Sequence, residues 1–187
     1  MSDYATYFDY LRRRSGLGWL YRRYWLYPRL GRHLHGRVLD VGCGIGDLLR
    51  YRANTVGVDI NPMTVDWCRR QGLDAYLMSE DCLPFDTGEF DGVVLDNVLE
   101  HLQAPQQLLG DIRRVLRVGG TLLVGVPGQL GFAMDSDHKV FYSETDLRRV
   151  VAAEGFSPVM VVHMPLKLNW LETRMSQYCL YGIFQRD

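Results

Sequence analysis

A glycine-rich segment follows the first strongly apolar run of the sequence. Residues 38–47 read VLDVGCGIGD, so a predicted strand ends at a Gly-x-Gly-x-Gly turn that leads into a helical pattern. Glycines let the backbone turn tightly, and its N–H groups can then face a ligand. A dinucleotide site has the spacing Gly-x-Gly-x-x-Gly, but Asp47 replaces its last glycine and would repel a diphosphate. The spacing therefore favours a ligand other than a dinucleotide. The alternative is that the segment is only a tight connection between strand and helix and binds no ligand.

An acidic residue ends the second predicted strand. Asp59 follows the apolar residues 55–58 and precedes Asn61-Pro62. A carboxylate at this edge of a sheet can accept hydrogen bonds from both hydroxyls of a ribose. The alternative is that Asp59 caps the helix that begins near Pro62.

Two histidines could serve as a general base, because histidine accepts a hydroxyl proton near neutral pH. His101 follows Glu100, and His138 follows Asp137 in a polar loop after the fifth predicted strand. We predict both as catalytic candidates. The alternatives are that His101 organises a pocket and that His138 only orders its loop. No group of His, Cys and Asp residues has the sequence spacing of metal ligands, so we expect no metal.

These candidate residues can form one site only if the ends of their strands lie along the same edge of a sheet. Short Val- and Leu-rich runs alternate with amphipathic stretches, which predicts βαβ units in a doubly wound parallel sheet. A helix is predicted over residues 105–117 and ended by Gly119-Gly120, and another starts at Ser143. The predicted strands cover residues 37–41, 55–59, 74–78, 91–96, 120–126, 157–164 and 177–185.

Composition places the chain among packed globular domains. It has 187 residues, of which 47% are hydrophobic and 23% charged, which excludes collagen-like, coiled-coil and disordered classes. The N-terminal residues lack the features of a secretory signal. The four cysteines form no Cys-x-x-Cys pair, as expected of reduced thiols. We therefore expect a cytoplasmic protein.

The first residues differ in charge from the rest. Residues 1–37 hold eight arginines and two aspartates, although the net charge of the chain is −1. We predict a basic, aromatic helical arm over residues 1–36 and one domain over residues 37–187. Arginines interleaved with Tyr and Trp in residues 10–34 could contact an anionic membrane or a lipid-linked acceptor. A solvated helix whose aromatics pack on the domain is the alternative, and the acidic remainder argues against nucleic acid.

Four segments resemble the class I S-adenosylmethionine-dependent methyltransferases, in the small-molecule, type 11-like branch. The resemblance implies S-adenosylmethionine as cofactor, S-adenosylhomocysteine as product, and an N-terminal segment that can form a lid. It also implies an α/β fold with a Rossmann-like, doubly wound, seven-stranded sheet, mostly parallel with the last strand antiparallel. The segments are VLDVGCGIGDLL (38–49), VGVDIN (56–61), LPFDTGEFDGVVLDNVLEHL (83–102) and RRVLRVGGTLLVGVP (113–127).

The same resemblance implies a set of cofactor-binding residues. Asp40 and Gly42 would contact the methionine amino group, and Asp59 the ribose hydroxyls. The family usually has Asp-Ala-Glu-Asp before Leu83, where this chain has Ser79-Glu80-Asp81-Cys82; the adenine partner is therefore Ser79, Glu80 or Asp81. The full predicted set is Asp40, Gly42, Cys43, Gly44, Asp59, Ile60, Ser79, Glu80, Asp81, Asn97 and His101.

Two function hypotheses follow. The first is methyl transfer to a small-molecule, saccharide or lipid-linked acceptor, at oxygen rather than nitrogen. The second is a catalytically inactive, cofactor-binding interaction protein that docks through its arm. A nicotinamide oxidoreductase is disfavoured by Asp47.

Overall fold

Seven strands form one sheet in the computed structural model, which describes residues 4–13, 16–79, 82–168 and 173–187. The strands are β1 (Val38–Val41), β2 (Thr55–Asp59), β3 (Ala75–Leu77), β4 (Phe90–Asp96), β5 (Leu116–Pro127), β6 (Phe156–Met164) and β7 (Cys179–Arg186). Their order across the sheet is β3-β2-β1-β4-β5-β7-β6. β1 to β5 pair in parallel, whereas β7 is antiparallel to β5 and β6. The predicted Rossmann-like sheet is confirmed.

Helices connect the strands, and two of them begin at residues whose side chains cap them. The side chain of Asn61 accepts a hydrogen bond from Met63 N, and Ser143 caps its helix through Asp146 N, as predicted. The helices are α1 (Tyr4–Arg12), α2 (Gly16–Tyr21), α3 (Tyr27–Gly31), α4 (Asp47–Tyr51), α5 (Pro62–Arg70), α6 (Gln106–Val115), α7 (Gln129–Ala133) and α8 (Glu144–Ala152). A π-helical segment, Arg22–Leu26, joins α2 to α3, and a 3₁₀ turn covers Leu99–His101.

The sheet has a buried layer on each face, because successive strand side chains point in opposite directions. On one face, Val93 and Leu122 pack in a core that includes buried residues of α6 and α8. On the other face, Val94 and Leu123 pack with Leu26 and Leu30 of the N-terminal residues. Part of the predicted arm therefore supplies a layer of the core.

The helix predicted over residues 105–117 is shorter than expected. α6 ends at Val115, and Leu116 already pairs with Phe90 of β4. Leu116 is fully buried in the core, so tertiary packing stops the helix. The prediction that Gly119-Gly120 ends it was wrong: both glycines lie within β5, where the register with β4 shifts.

Among the residues that the structure describes, no helix is long and apolar enough to cross a lipid bilayer.

Candidate functional site

A cavity of about 730 Å³ lies at the carboxyl ends of β1, β2 and β4. This edge of a doubly wound sheet is where ligands bind. The fold brings seven of the residues predicted from the sequence to its wall: Asp40, Gly42, Gly44, Asp59, Ile60, Asn97 and His101.

The glycine turn depends on missing side chains. Gly42 has φ +75°, and a Cβ there would lie 2.5 Å from Cγ2 of Val98. Gly44 has φ +54° and donates its backbone N–H to Oδ2 of Asp59 at 2.8 Å. L-residues with side chains rarely adopt these φ values, so glycine at both positions keeps the turn open toward the cavity.

Asp59 ties the turn to the start of α5. Its Oδ1 accepts the backbone N–H of Asn61 at 2.8 Å, while Asn61 rather than Asp59 caps the helix. Burial raises the pKa of Asp59, and hydrogen bonds from Asn61 and Gly44 oppose that shift. Each carboxylate oxygen has two lone pairs, so Asp59 can accept further hydrogen bonds from the cavity.

Asp40 places a second buried carboxyl on the same wall. It is only 6% exposed and comes from the buried strand β1. Burial raises its pKa well above the usual range, and the nearby carboxylate of Asp96 adds to the shift. A cationic ligand group beside Asp40 would favour its charged form.

Two predicted cofactor residues do not reach the wall. The Cys43 side chain packs in a small cluster with Leu49 and Cys68. Ser79 forms an isolated bridge with Cys82 and is not part of the cavity lining. Glu80 and Asp81 lie outside the described residues.

The two catalytic candidates are in contact, but only His101 lines the cavity. Their rings are 4.7 Å apart at an angle of 60°. Nδ1 of His101 lies 3.3 Å from the carbonyl oxygen of Asp137, and Nδ1 of His138 lies 2.9 Å from that of Phe132. Burial lowers the pKa of His101, and His138 lowers it further. His138 thus contacts a cavity residue, His101, but is not itself part of the cavity lining.

Glu100, the residue before His101 in the sequence, is a buried acid. It is fully buried, and neither carboxylate oxygen has a hydrogen-bond partner among the described residues. Burial raises its pKa to about 8. Its backbone carbonyl accepts hydrogen bonds from Lys139 N and Val140 N, so the turn that carries Glu100 also holds the loop that carries His138.

Comparison with known proteins adds to this geometry. A family model for a methyltransferase domain matches residues 39–124. A probable S-adenosylmethionine-dependent methyltransferase of Mycolicibacterium smegmatis is 35% identical over 151 residues, which are 74% of this chain and 59% of that protein. The ubiquinone biosynthesis O-methyltransferase of Xanthomonas oryzae is 33% identical over 99 residues, covering 47% of this chain and 41% of that one. The chain spans less than half the length of the first curated relatives it matches.

The fold agrees with these sequence matches. The structure of an S-adenosylmethionine-dependent methyltransferase from Archaeoglobus fulgidus superposes with a TM-score of 0.75 at 19% identity, covering 98% of this chain and all of the other. The chain belongs to the class I S-adenosylmethionine-dependent methyltransferases. S-adenosylmethionine is therefore its cofactor, and the type 11 branch predicted from the sequence is confirmed.

The cavity of this methyltransferase fits that cofactor. Gly42 and Gly44 leave room at the turn, and two buried carboxyls, Asp40 and Asp59, face the same space. A carboxylate suits both a ligand ammonium group and the two hydroxyls of a ribose. When bound, the cofactor supplies a methyl group on a sulfonium, which is strongly electrophilic.

An ion pair from the N-terminal residues enters the methyltransferase cavity, and the sequence did not predict it. Nη1 of Arg22 lies 3.0 Å from Oδ2 of Asp96 at the end of β4. Oδ1 of Asp96 accepts hydrogen bonds from Tyr181 OH at 3.0 Å and Asn97 Nδ2 at 2.9 Å. Both Arg22 and Asp96 line the cavity. From the sequence, we expect the arginines of residues 1–36 to face solvent or a membrane, but the Arg22 side chain is mostly buried.

Helix α1 covers part of the methyltransferase cavity. Tyr4, Tyr7 and Leu11 line it, and Asn61 Nδ2 donates to the carbonyl of Tyr4 at 3.0 Å. The Phe8 ring packs edge-on against Trp67 of α5 at 5.9 Å. α1 therefore forms part of the cavity wall.

Proposed function

We propose that this methyltransferase transfers a methyl group from S-adenosylmethionine to a hydroxyl oxygen of a small-molecule, saccharide or lipid-linked acceptor. One observation carries the proposal: a single cavity joins the glycine turn and Asp59 to His101. The cofactor-holding residues and a proton-accepting side chain thus share one space, as a displacement at carbon requires.

The cofactor end of the cavity is assigned by chemistry. Asp40 receives the methionine ammonium, Asp59 receives the ribose hydroxyls, and Ile60 contacts the adenine. For the adenine amino group the sequence offers Ser79, Glu80 or Asp81; Ser79 does not line the cavity, and the other two lie outside the described residues. The two lining carboxyls support this assignment because both are buried, and Asp59 is hydrogen-bonded to the glycine turn through Gly44 N.

The acceptor end is assigned to His101. A carbonyl can only accept, so Nδ1 of His101 donates to Asp137 and Nε2 keeps its lone pair. A pKa lowered by burial keeps the imidazole neutral. As the acceptor oxygen bonds to the methyl carbon and the carbon–sulfur bond breaks, the hydroxyl proton passes to Nε2. His138 acts as a positioning residue, through the ring contact with His101.

Two further observations bear on the acceptor. The relative from Xanthomonas is, by its name, an O-methyltransferase, which supports oxygen as the acceptor atom. Exposed side chains of residues 17–25 form an aromatic–arginine patch, made of Leu17, Trp19, Leu20, Arg23, Tyr24 and Trp25. The guanidinium of Arg23 lies over the Trp19 and Tyr24 rings at 5.4 and 5.9 Å. Such a surface suits an anionic membrane, where a lipid-linked acceptor is found.

Calorimetric titration with S-adenosylhomocysteine tests the cofactor assignment. We expect one binding site per chain, and the absence of binding heat would overturn the proposal. A second assay follows transfer of a labelled methyl group to phenols, saccharides and lipid-linked saccharides. O-methylated product supports the proposal. Tight cofactor binding with no product on any acceptor would favour the inactive, interaction-protein hypothesis instead.

A further inference from the structure

Three potential metal ligands meet at the acceptor end of the cavity. One ligand atom each of Glu100, His101 and His138 lies within 4.8 Å of the other two. Nε2 of His138 is 3.8 Å from Oε1 of Glu100. Atoms that bind one zinc ion at about 2.0–2.2 Å lie up to roughly 4 Å apart, so small side-chain movements would bring all three onto an ion.

The carboxylate of this cluster is buried without a partner. The Glu100 side chain is 1% exposed, and within the described part of the chain neither of its oxygens is hydrogen-bonded. An unpaired polar group in the interior destabilises a fold because it has lost its hydrogen bonds to water. A bound cation would remove that penalty.

Both histidines are oriented as metal-binding histidines are. Each Nδ1 donates to a backbone carbonyl, that of Asp137 for His101 and that of Phe132 for His138. Each Nε2 therefore keeps its lone pair. Histidine ligands of metal ions almost always make such an outer hydrogen bond, which fixes the tautomer and the ring orientation.

The ligands also lie on segments that are tied together. The backbone carbonyl of Glu100 accepts from Lys139 N at 2.7 Å, which joins the 3₁₀ turn to the loop that bears His138. Asp135, which lines the cavity, has Oδ2 3.8 Å from Nε2 of His138. The cluster is thus reached from the cavity through His101 and Asp135.

We propose that Glu100, His101 and His138 bind one divalent first-row transition-metal ion. Two imidazole nitrogens and a carboxylate oxygen suit Zn²⁺, Co²⁺ or Fe²⁺. The use of the ion in catalysis rests on the proposed function: it would lower the pKa of an acceptor hydroxyl whose proton passes to water. In that form His101 holds the ion and no longer accepts the proton.

The test titrates Co²⁺ and then Zn²⁺ into the full chain, stripped with a chelator and free of cofactor and acceptor. We expect one Co²⁺ per chain, with the visible absorption of a four- or five-coordinate site, and its displacement by Zn²⁺. His101→Ala and His138→Ala should each weaken binding at least about tenfold, since even loss of an outer partner costs about 10–100-fold. His35→Ala and Cys82→Ser, both on the surface, should bind as wild type. No binding, or equal affinity in all four variants, would overturn the proposal.

A second measurement needs no variant. Crystals grown with Zn²⁺ should show an anomalous peak between the three side chains, and a peak elsewhere or none would also overturn the site. Titration of the same wild-type samples with S-adenosylhomocysteine separates the two proposals. If the chain binds S-adenosylhomocysteine but no metal, the metal site alone is overturned. If it binds metal but no S-adenosylhomocysteine, the proposed function alone is overturned.

Discussion

At the scale of single residues, the glycine turn and Asp59 hold each other in place. Gly44 donates its N–H to one carboxylate oxygen and Asn61 donates to the other. The turn must adopt positive φ at Gly42 and Gly44 to reach this arrangement. The same carboxylate therefore orders the turn and presents its remaining lone pairs to the cavity.

Replacing Asp59 tests this double role. Asp59→Ala should weaken binding of S-adenosylhomocysteine by about 1–3 kcal/mol, the scale of lost hydrogen bonds to a charged group, as measured by calorimetry. Asp66→Ala, on the exposed side of α5, is the matched control and should bind like wild type. Unchanged affinity in the Asp59 variant would show that the ribose is held elsewhere.

The raised pKa of Asp40 predicts a pH dependence of stability. The folded chain keeps a proton on Asp40 at pH values where the unfolded chain, with a pKa of about 3.9, has lost it. Its contribution is complete below that value and is lost as the pH rises through the folded pKa. Asp40→Asn cannot ionise, so its Tm should fall less as the pH rises above about 4. Asp66→Asn should follow wild type, and an equal decline in the Asp40 variant would contradict the prediction.

At the scale of elements, the N-terminal helices are attached to the sheet in two ways. Leu26, Leu30 and Leu34 pack in a core cluster with strand residues. Within the π-helical segment, Arg22 points inward to Asp96, whereas Arg23, Tyr24 and Trp25 belong to the exposed patch. Apolar packing and one ion pair therefore fix this segment across the carboxyl end of β4.

Removing Arg22 should be costly because it leaves the Asp96 carboxylate without its cation. We expect Arg22→Ala to lower the free energy of unfolding in urea by about 3 kcal/mol, the lower end for breaking a buried pair. Arg23→Ala changes the neighbouring, exposed arginine and should have an effect within about 0.5 kcal/mol. Equal effects of the two variants would mean that the ion pair is not what anchors the segment.

The double variant separates the pair from the rest of the segment. If the stability lost in Arg22→Ala comes from the unpaired carboxylate of Asp96, then adding Asp96→Asn to that variant should recover part of the loss. Purely additive losses would argue that the two side chains act independently.

At the scale of the whole molecule, the N-terminal residues present two faces. α1 lies over the cavity through Tyr4, Tyr7 and Leu11, whereas the aromatic–arginine patch points to solvent, with Leu17 78% exposed. Trp25 Nε1 donates to the carbonyl of Pro165, next to exposed Leu166 and Leu168. The patch therefore continues onto the segment after β6.

Co-sedimentation with vesicles tests this surface. Binding to vesicles rich in anionic phospholipid should exceed binding to neutral vesicles and should weaken with salt. Leu17→Ser combined with Trp19→Ser should reduce binding roughly tenfold or more, since burying one large apolar side chain contributes about 1.5–3 kcal/mol. Val159→Ser removes an exposed apolar residue of β6 and should change little. Equal binding by both variants would rule out this patch as the contact.

Much of the architecture could be predicted because it depends on local patterns. Continuous Val and Leu runs marked β1, β2, β4 and β5, and Ser143 marked the start of α8. The end of α6 could not be predicted, because Leu116 leaves the helix to pair with Phe90, far away in sequence. Residues of the cavity wall could be predicted where they belong to a sequence motif, as do Gly42 and Asp59. They were missed where the partners come from distant segments, as with Arg22 and Asp96.

The sequence by itself determined the glycine turn, the acidic strand ends and the alternation of strands and helices, since these depend on backbone conformation and on residues close together in the chain. Only the tertiary structure decided that Leu26 and Leu30 belong to the core and that Arg22 is an inner residue, because burial is set by what packs against a side chain. It also decided that Glu100, His101 and His138 meet. Their spacing in sequence shows no such cluster, and only the loop held to the carbonyl of Glu100 brings His138 to the other two.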